Sequence, residues 1–292
     1  MNTIFEGTGV ALVTPFQSDL SIDFSSLEKI INHTIAGGVD FLVVLGTTGE
    51  PATLSKEEKK ELIRFCIDKI DGRVPLAVGA GGNDTASVIK DIEAFSGHGV
   101  SGWLSVSPYY NKPNQRGIFE HFNAIALSTK HPIILYNVPA RTGSNIMPET
   151  VISLAEKHSN IVALKEASGD FSQLMHLIKY KPKSFHVISG DDALTLPMIS
   201  LGAKGVISVV ANSHPYEFSS LVKAALANDY QKAREYQYRL VDYINALFTE
   251  GSPAGIKASL EILGVCKKHV RLPLVAVSDE HYLRLQSLIS SI

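Results

Sequence analysis

Eight short apolar segments recur along the chain at near-even intervals, and this repetition limits the fold more than any other feature. Each segment is almost continuously apolar, whereas a half-exposed strand would alternate apolar and polar residues. Such runs are typical of strands that are buried on both faces in a parallel sheet. The segments cover residues 9–15, 40–46, 74–80, 102–108, 132–138, 160–166, 185–191 and 204–210.

Amphipathic segments lie between the apolar runs and predict helices. Residues 55–70 carry an apolar stripe opposite Lys and Glu side chains, and Ser55 followed by Glu58 predicts a capping box at the start of that helix. Segments 84–95 and 116–129 show the same pattern. Strand and helix alternating eight times predict an α/β fold, the (β/α)8 TIM barrel. A doubly wound open sheet is the alternative.

The pattern changes after about residue 226. Three further segments, 229–248, 253–264 and 278–292, are helical in character, with no apolar strand-like run between them. The sequence therefore predicts a barrel in residues 1–226 that carries the active site, followed by a C-terminal helical region in residues 227–292.

Composition narrows the class of protein. The chain has 292 residues with 27 Lys plus Arg against 29 Asp plus Glu, so a net charge of −2 argues against nucleic acid as a partner. Two cysteines cannot form a disulfide framework and predict free thiols in the cytoplasm. The first residues do not resemble a secretory signal, and no apolar stretch approaches the roughly 18 residues of a membrane span. We therefore expect no membrane partner.

Polar residues concentrate where the predicted strands end. In a barrel of this kind the active site lies at the carboxyl ends of the strands and in the loops that follow. The polar strand ends are GTTGE at 46–50, SPYYNKP at 107–113, LYNVPARTG at 135–143, Lys165 and SGDD at 189–192. One face of the barrel is therefore predicted to carry the chemistry.

Lys165 ends an apolar strand and is the first candidate for a reactive group. A neutral lysine amine attacks a carbonyl to form a Schiff base, and the resulting iminium accepts electrons without a metal or an organic cofactor. The ten histidines show no paired metal-ligand spacing, and the glycine-rich stretches match neither a dinucleotide fingerprint nor a Walker loop. We therefore expect no cofactor and no metal. The alternative is a structural Lys165 that reaches solvent or pairs with Glu166.

Four more side chains at the strand ends suit Schiff-base chemistry. Tyr110, Tyr136 and Thr47 follow three different strands and together could relay a proton, although each alone is more often structural. Arg141 follows Tyr136 by five residues and could hold a substrate carboxylate, or could form a surface ion pair instead.

These motifs together resemble the dihydrodipicolinate synthase family, which belongs to the class I pyruvate aldolases of the N-acetylneuraminate lyase type. The resemblance covers the whole chain in order, through GTTGE, PYYNKP, YNVPARTG, ALKEASGD and SGDD. GTTGE and the lysine are shared with sister lyases, whereas YYN and the Arg in NVPARTG point to the synthases. The resemblance implies condensation of pyruvate with L-aspartate 4-semialdehyde to 4-hydroxy-2,3,4,5-tetrahydrodipicolinate, in the diaminopimelate route to lysine.

The resemblance also implies roles for individual residues around the pyruvate site. Lys165 would condense with pyruvate, and Tyr136 would assist beside it. Thr47 would link Tyr136 to Tyr110 in the proton relay, with Tyr110 reaching in from a neighbouring subunit. Thr48 would bind the pyruvate carboxylate.

The second substrate and the assembly follow from the same resemblance. Arg141 would hold the carboxylate of the semialdehyde, and main-chain groups of Gly190, Asp191 and Ile207 would lie near the site. The family further implies a homotetramer built from two tight dimers. The paired aromatic residues Tyr109 and Tyr110 suit such a subunit contact.

Many bacterial members of the family are inhibited by lysine at the tight dimer interface. The matching positions here are Pro51, Ala52, Lys56, Lys59, Asn83, Ser87 and Tyr109. Strongly inhibited relatives carry histidines at the positions of Lys56 and Lys59 and a glutamate at that of Ser87. Two added cations and a lost carboxylate disfavour a cationic ligand, so we expect weak or absent inhibition. Alternatively, Lys56 and Lys59 point into solvent, and only Ser87 matters.

Two other functions remain open from the sequence. One is another pyruvate-dependent lyase, acting on N-acetylneuraminate or a keto-deoxy sugar acid; Arg141 argues against it, because those substrates need hydroxyl-binding groups. The other is a barrel that only binds a ligand. The presence of Lys165, both tyrosines and Thr47 argues against that alternative.

Overall fold

The computed structural model describes residues 4–292, and its centre is a closed barrel of parallel strands. The strands run in chain order around the barrel, and the eighth pairs with the first, so the predicted (β/α)8 fold is confirmed. The strands are β1 (Gly7–Ala11), β2 (Phe41–Val44), β3 (Leu76–Gly79), β4 (Gly102–Val106), β5 (Ile133–Asn137), β6 (Ile161–Glu166), β7 (His186–Ser189) and β8 (Gly205–Ser208).

Helices surround the barrel and continue beyond it. Within residues 4–292 they are α1 (Phe24–Ala36), α2 (Lys56–Ile70), α3 (Thr85–Phe95), α4 (Gln115–Ser128), α5 (Pro139–Thr142), α6 (Pro148–Lys157), α7 (Phe171–Tyr180), α8 (Thr195–Ser200), α9 (Pro215–Leu226), α10 (Tyr230–Thr249), α11 (Ala254–Ile262) and α12 (Asp279–Ile289). The capping box predicted for α2 is confirmed. Ser55 Oγ accepts from Glu58 N at 3.1 Å, and Glu58 Oε2 accepts from Ser55 N at 2.8 Å.

Two apolar cores lie on the two faces of the barrel wall. The inner core fills the barrel with side chains from successive strands, including Phe41, Leu104, Ile134, Ile188 and Ile207, all at most 4% exposed. The outer core packs the other strand face against the helices. Because the barrel is filled, small molecules can reach the strands only at their ends.

The strands are shorter than the apolar runs that predict them. The first run covers residues 9–15, but β1 spans Gly7–Ala11, and Leu12 and Val13 stay buried beyond its end. The start of the loop after β1 is therefore packed into the protein and held in a defined position.

The helices of the C-terminal region pack on the barrel and on each other. Helix α10 lies along α9, and α12 contacts both α10 and α11. A short helical turn at residues 210–212, after β8, contacts α9 and α11. The C-terminal helices therefore lie against the part of the chain that follows β8. Within residues 4–292, no helix is both long and apolar enough to cross a membrane.

Candidate active site

Lys165 and Tyr136 are direct neighbours at the carboxyl ends of two adjacent strands. Their Cα atoms are register partners between β5 and β6, and both residues are 6% exposed. Lys165 Nζ lies 4.4 Å from the centre of the Tyr136 ring. Within residues 4–292, the Lys165 amine makes no ion pair and the Tyr136 hydroxyl makes no hydrogen bond. Both polar groups are therefore free to contact a small ligand.

Glu166 does not pair with Lys165, so the alternative of an ion pair between them is wrong. Successive strand residues point to opposite faces of the barrel wall. Lys165 shares the inner face with Ala163, whereas the Glu166 carboxylate bonds Asn137 Nδ2 and Ser168 N on the outer side.

Gly190 lies against the lysine side chain. A Cβ atom at Gly190 would be 3.1 Å from both Cγ and Cε of Lys165 and 2.8 Å from Cβ of Ala167. Any larger residue would push on the lysine, because these distances are below ordinary van der Waals contact. Ile207 lies on β8 and belongs to the inner core beneath this point.

The next residues after Gly190 form a tight turn. Asp191 Oδ1 accepts from Ala193 N at 2.9 Å, and Asp191 O accepts from Thr195 Oγ1 at 2.8 Å. Asp192 is buried; its Oδ2 accepts from the backbone N–H groups of Val209 and Val210 at 3.0 and 3.1 Å. Burial raises the pKa of the Asp192 carboxyl to about 6. Asp192 therefore ties the turn after β7 to the end of β8.

Thr47 and Thr48 lie on a short helical turn, residues Thr47–Gly49, that follows β2. Thr48 is buried and Thr47 is exposed, and within residues 4–292 neither hydroxyl makes a hydrogen bond. Thr14 Oγ1 donates to Gly49 O at 2.7 Å and supports the turn from the loop after β1. The turn ends at Glu50 in a left-handed conformation, with φ of 53°.

Glu50, the last residue of GTTGE, makes a buried ion pair that the sequence analysis missed. Its carboxylate bonds Lys257 Nζ on α11, and the two side chains are 1% and 0% exposed. Lys257 Nζ also donates to His269 O at 2.8 Å and lies 4.0 Å from the centre of the Phe16 ring. Arg271 N donates to Glu50 Oε2 at 3.1 Å. The turn with the two threonines is thus anchored to the C-terminal region.

Arg141 lies on α5, a single helical turn after β5, and its side chain is exposed. Within the described residues its guanidinium makes no ion pair or hydrogen bond, so the proposed surface ion pair is absent there. Gly143, with φ of 64°, ends the turn, and Lys112 packs against it: a Cβ atom at Gly143 would be 2.7 Å from Lys112 Cε. Two cationic side chains therefore border the same loop.

Tyr110 is 89% exposed and Tyr109 is 42% exposed, on the loop after β4. Tyr110 has φ of 70°, which is unusual for a bulky residue. Asn111 Nδ2 donates to Asn83 O at 3.0 Å and fixes this loop to the one after β3. Within residues 4–292 no hydrogen bond links any two of the hydroxyls of Tyr110, Thr47 and Tyr136, so one chain does not form the predicted relay.

Of the positions matched to a lysine pocket, Tyr109 lies on that loop, and the backbone carbonyl of Asn83 accepts from Asn111 of the same loop. Ala52, Lys56 and Ser87 are exposed, and Pro51, Lys59 and Asn83 are partly exposed. Ser87 Oγ donates to Asp84 Oδ2 at 2.5 Å, so the hydroxyl is already engaged. The Ser87 hydrogen bond holds the pKa of the Asp84 carboxyl below its usual range. Within the described residues, no group of three His, Cys, Asp or Glu side chains could hold a metal ion.

Comparison with known proteins gives the family of this chain. The model of the dihydrodipicolinate synthetase family matches residues 4–292. The chain belongs to that family. Among its relatives, the 4-hydroxy-tetrahydrodipicolinate synthase of Flavobacterium psychrophilum is 49% identical over 276 residues, which is 94% of each chain.

Solved structures of family members share the whole fold. Dihydrodipicolinate synthase from Aquifex aeolicus has a TM-score of 0.95 at 42% identity and covers 98% of this chain and 97% of its own. The chloride-inhibited synthase from Acinetobacter baumannii, solved with pyruvate, has a TM-score of 0.96 at 38% identity and covers 99% of each chain. The predicted family is therefore confirmed.

Proposed function

We propose that this protein is a 4-hydroxy-tetrahydrodipicolinate synthase, which condenses pyruvate with L-aspartate 4-semialdehyde. Membership of the dihydrodipicolinate synthetase family and the names of its relatives support this activity. The observation that carries the chemistry is the amine of Lys165. It lies 4.4 Å from the Tyr136 ring, and within residues 4–292 it has no acidic partner. The class of the enzyme is thus a Schiff-base-forming lyase.

The first half of the reaction builds the nucleophile. Lys165 Nζ attacks the C2 ketone of pyruvate, and the oxygen leaves as water, giving an iminium. Loss of a proton from the pyruvate methyl group then gives the enamine. We assign to Tyr136 the proton transfers at the lysine, and to Thr47 the link towards Tyr110 of a second subunit. Thr48, which is buried with a free hydroxyl, would bind the pyruvate carboxylate.

The second half forms the carbon–carbon bond and the ring. The enamine carbon attacks the aldehyde of the semialdehyde, and the resulting alkoxide takes up a proton. The amine of the semialdehyde then attacks C2, displaces Lys165 and closes the ring, which regenerates the free lysine. Arg141 would hold the semialdehyde carboxylate, since its guanidinium is exposed and unpaired in the described chain. Backbone groups of Gly190, Asp191 and Ile207 would line the same space.

The assembly follows as a further proposal. Tyr110 is 89% exposed and has φ of 70°, on a loop that the Asn111 hydrogen bond fixes. Its side chain therefore lies on the surface, where a second subunit can contact it. We propose a tight dimer in which Tyr110 completes the partner's relay, doubled to a tetramer.

Borohydride trapping tests the nucleophile directly. We expect pyruvate and borohydride to leave a reduced adduct on Lys165 in the wild-type protein. Lys165→Ala should abolish the adduct and keep the fold, whereas the exposed-lysine control Lys183→Ala should trap pyruvate normally. An adduct that forms on Lys165→Ala at the wild-type rate would overturn the assignment.

Adding a second substrate then separates the candidate enzymes. Turnover with aspartate semialdehyde supports the synthase, whereas turnover with N-acetylmannosamine would support a sialic acid lyase. A wild-type protein that traps no pyruvate would leave only the ligand-binding alternative.

A further inference from the structure

Glu166 is a buried carboxylate on the outer side of the barrel wall, immediately after Lys165. It is 2% exposed, and its register partner on β5 is Asn137, which immediately follows Tyr136. Because side chains alternate along a strand, Lys165 and Tyr136 point to one face of the wall, and Asn137 and Glu166 point to the other. The two pairs are therefore linked through the same two strand ends.

The carboxylate is held by N–H donors alone. Glu166 Oε1 accepts from Ser168 N at 2.6 Å, and Oε2 accepts from Asn137 Nδ2 at 3.1 Å and from Gln173 Nε2 at 3.3 Å. Within residues 4–292 no Lys, Arg or His forms an ion pair with it. A buried charge without a counter-ion depends on such donors, so each of these contacts stabilises it.

Asn145 closes these contacts into a ring of four side chains. Its Oδ1 accepts from Asn137 Nδ2 at 2.8 Å, and its Nδ2 donates to Gln173 Oε1 at 2.8 Å. A carboxylate only accepts, so Asn137 and Gln173 must both turn their NH2 groups towards Glu166. Asn137 Oδ1 then faces outward and accepts from Ile146 N at 3.0 Å. Glu166 therefore fixes the orientation of every amide in the ring.

The ring holds the far end of the loop that carries Arg141. The loop leaves β5 at Val138, and its return passes through Asn145 and Ile146, both bonded to the ring. Gln115 adds a second support, since its Nε2 donates to Asn145 O at 2.8 Å. The Arg141 guanidinium makes no hydrogen bond or ion pair in the described chain, so its position depends on this backbone.

We propose that Glu166 is a positioning residue for the second substrate. Through the ring it holds the loop of residues 139–147, and with it Arg141, at the distance from Lys165 that the semialdehyde requires. This inference rests on the role proposed above for Arg141. In this proposal Glu166 does not touch the substrate, and the ring transmits its effect to Arg141.

Glu166→Gln is the test, because it replaces an acceptor with a group that must also donate. The amide introduced at position 166 would meet the NH2 groups of Asn137 and Gln173 and the N–H of Ser168, which leaves a buried donor without an acceptor. We expect KM for the semialdehyde to rise about ten- to a hundredfold, the loss typical of one charged hydrogen bond. Pyruvate trapping on Lys165 should stay within a few-fold of wild type.

A swapped variant provides the rescue. Glu166→Gln combined with Gln173→Glu moves the carboxylate across the ring. The oxygen of the new amide takes the place of Glu166 Oε1, which lies 2.6 Å from Ser168 N and 3.3 Å from Asn137 Nδ2, and accepts from both. Its NH2 group takes the place of Oε2 and donates to the new carboxylate at position 173. We expect this double variant to recover most of the semialdehyde affinity. Glu156→Gln, at an exposed position on α6, is the matched control and should behave as wild type.

Hydrogen exchange separates this inference from the proposed function. Without substrate, the backbone amides of residues 139–147 should exchange faster in Glu166→Gln than in wild type, and the swap should restore protection. Unchanged exchange and unchanged semialdehyde KM in Glu166→Gln, or no recovery in the swap, would overturn the inference. If the wild type traps no pyruvate, the proposed function fails, and the exchange experiment still tests the ring.

Discussion

Replacing Lys257 with Met should destabilise the whole protein, because it leaves a charge buried without its partner. The substitution keeps a long side chain on α11 but removes the ammonium that bonds Glu50. The Glu50 side chain is 1% exposed and keeps one protein donor, Arg271 N at 3.1 Å. An uncompensated carboxylate buried to that extent cannot recover its hydration while the chain stays folded.

The magnitude follows from the burial of both side chains. Breaking a buried ion pair by removing one partner costs about 3–5 kcal/mol. Unfolding entropies near 60 °C are about 2.1 cal/mol/K per residue, which gives roughly 0.6 kcal/mol/K for a chain of this length. The expected fall in Tm is therefore about 5–8 °C. The retained Arg271 contact favours the lower end of that range.

Calorimetry at one fixed scan rate measures the effect, because chains of this size often unfold irreversibly. Lys267→Met, at an exposed lysine that follows α11, is the control and should change Tm little. The double variant Glu50→Gln with Lys257→Met removes both charges and should be more stable than Lys257→Met alone. A wild-type Tm for Lys257→Met, or a Tm of the double variant at or below that of Lys257→Met, would refute the buried-charge explanation.

Three further outcomes follow from the site. Arg141→Ala should keep pyruvate trapping but lower kcat/KM for the semialdehyde about ten- to a hundredfold; an unchanged value contradicts its role. Tyr110→Phe should keep the oligomer in light scattering but lower kcat by roughly a hundredfold, as for a lost proton-transfer group, and a fully active wild-type monomer would contradict the shared site. Lysine should inhibit weakly, because Lys56 and Lys59 add positive charge and Ser87 already donates to Asp84; half-inhibition below about 1 mM would contradict this.

Sequence patterns predicted the barrel because each strand carries its own signal. A strand buried on both faces must be apolar at every position, and the eight runs therefore appear in the sequence without knowledge of the contacts. The start of α2 is equally local, since Ser55 and Glu58 cap the same turn. The ends of β1 and other strands were less predictable, because packed loop residues such as Leu12 are as apolar as the strand itself.

The supports of the candidate site were not predictable, because they join residues far apart in the chain. In the sequence, Glu50 is a single acidic residue in a predicted loop, and nothing near it indicates a partner. Only the folded chain brings Lys257 into contact with it. The ring around Glu166 also needs four side chains from β5, β6, α7 and the loop before α6. Tyr110 is a different case, since the exposure of its side chain depends on a backbone with φ of 70°, which a bulky residue rarely adopts.

The two buried lysines differ in whether their amines are occupied. Lys257 is 0% exposed, and its ammonium contacts Glu50, a backbone carbonyl and an aromatic ring. Burial lowers the pKa of Lys257, and the Glu50 carboxylate, which acts in the opposite direction, occupies the nitrogen. Lys165 is 6% exposed, and the nearest carboxylate in the sequence, Glu166, is turned through the wall by the strand pleat. The alternation of side chains along β6 therefore directs Glu166 to the ring that holds the Arg141 loop. The same alternation leaves the amine of Lys165 free to react with a carbonyl.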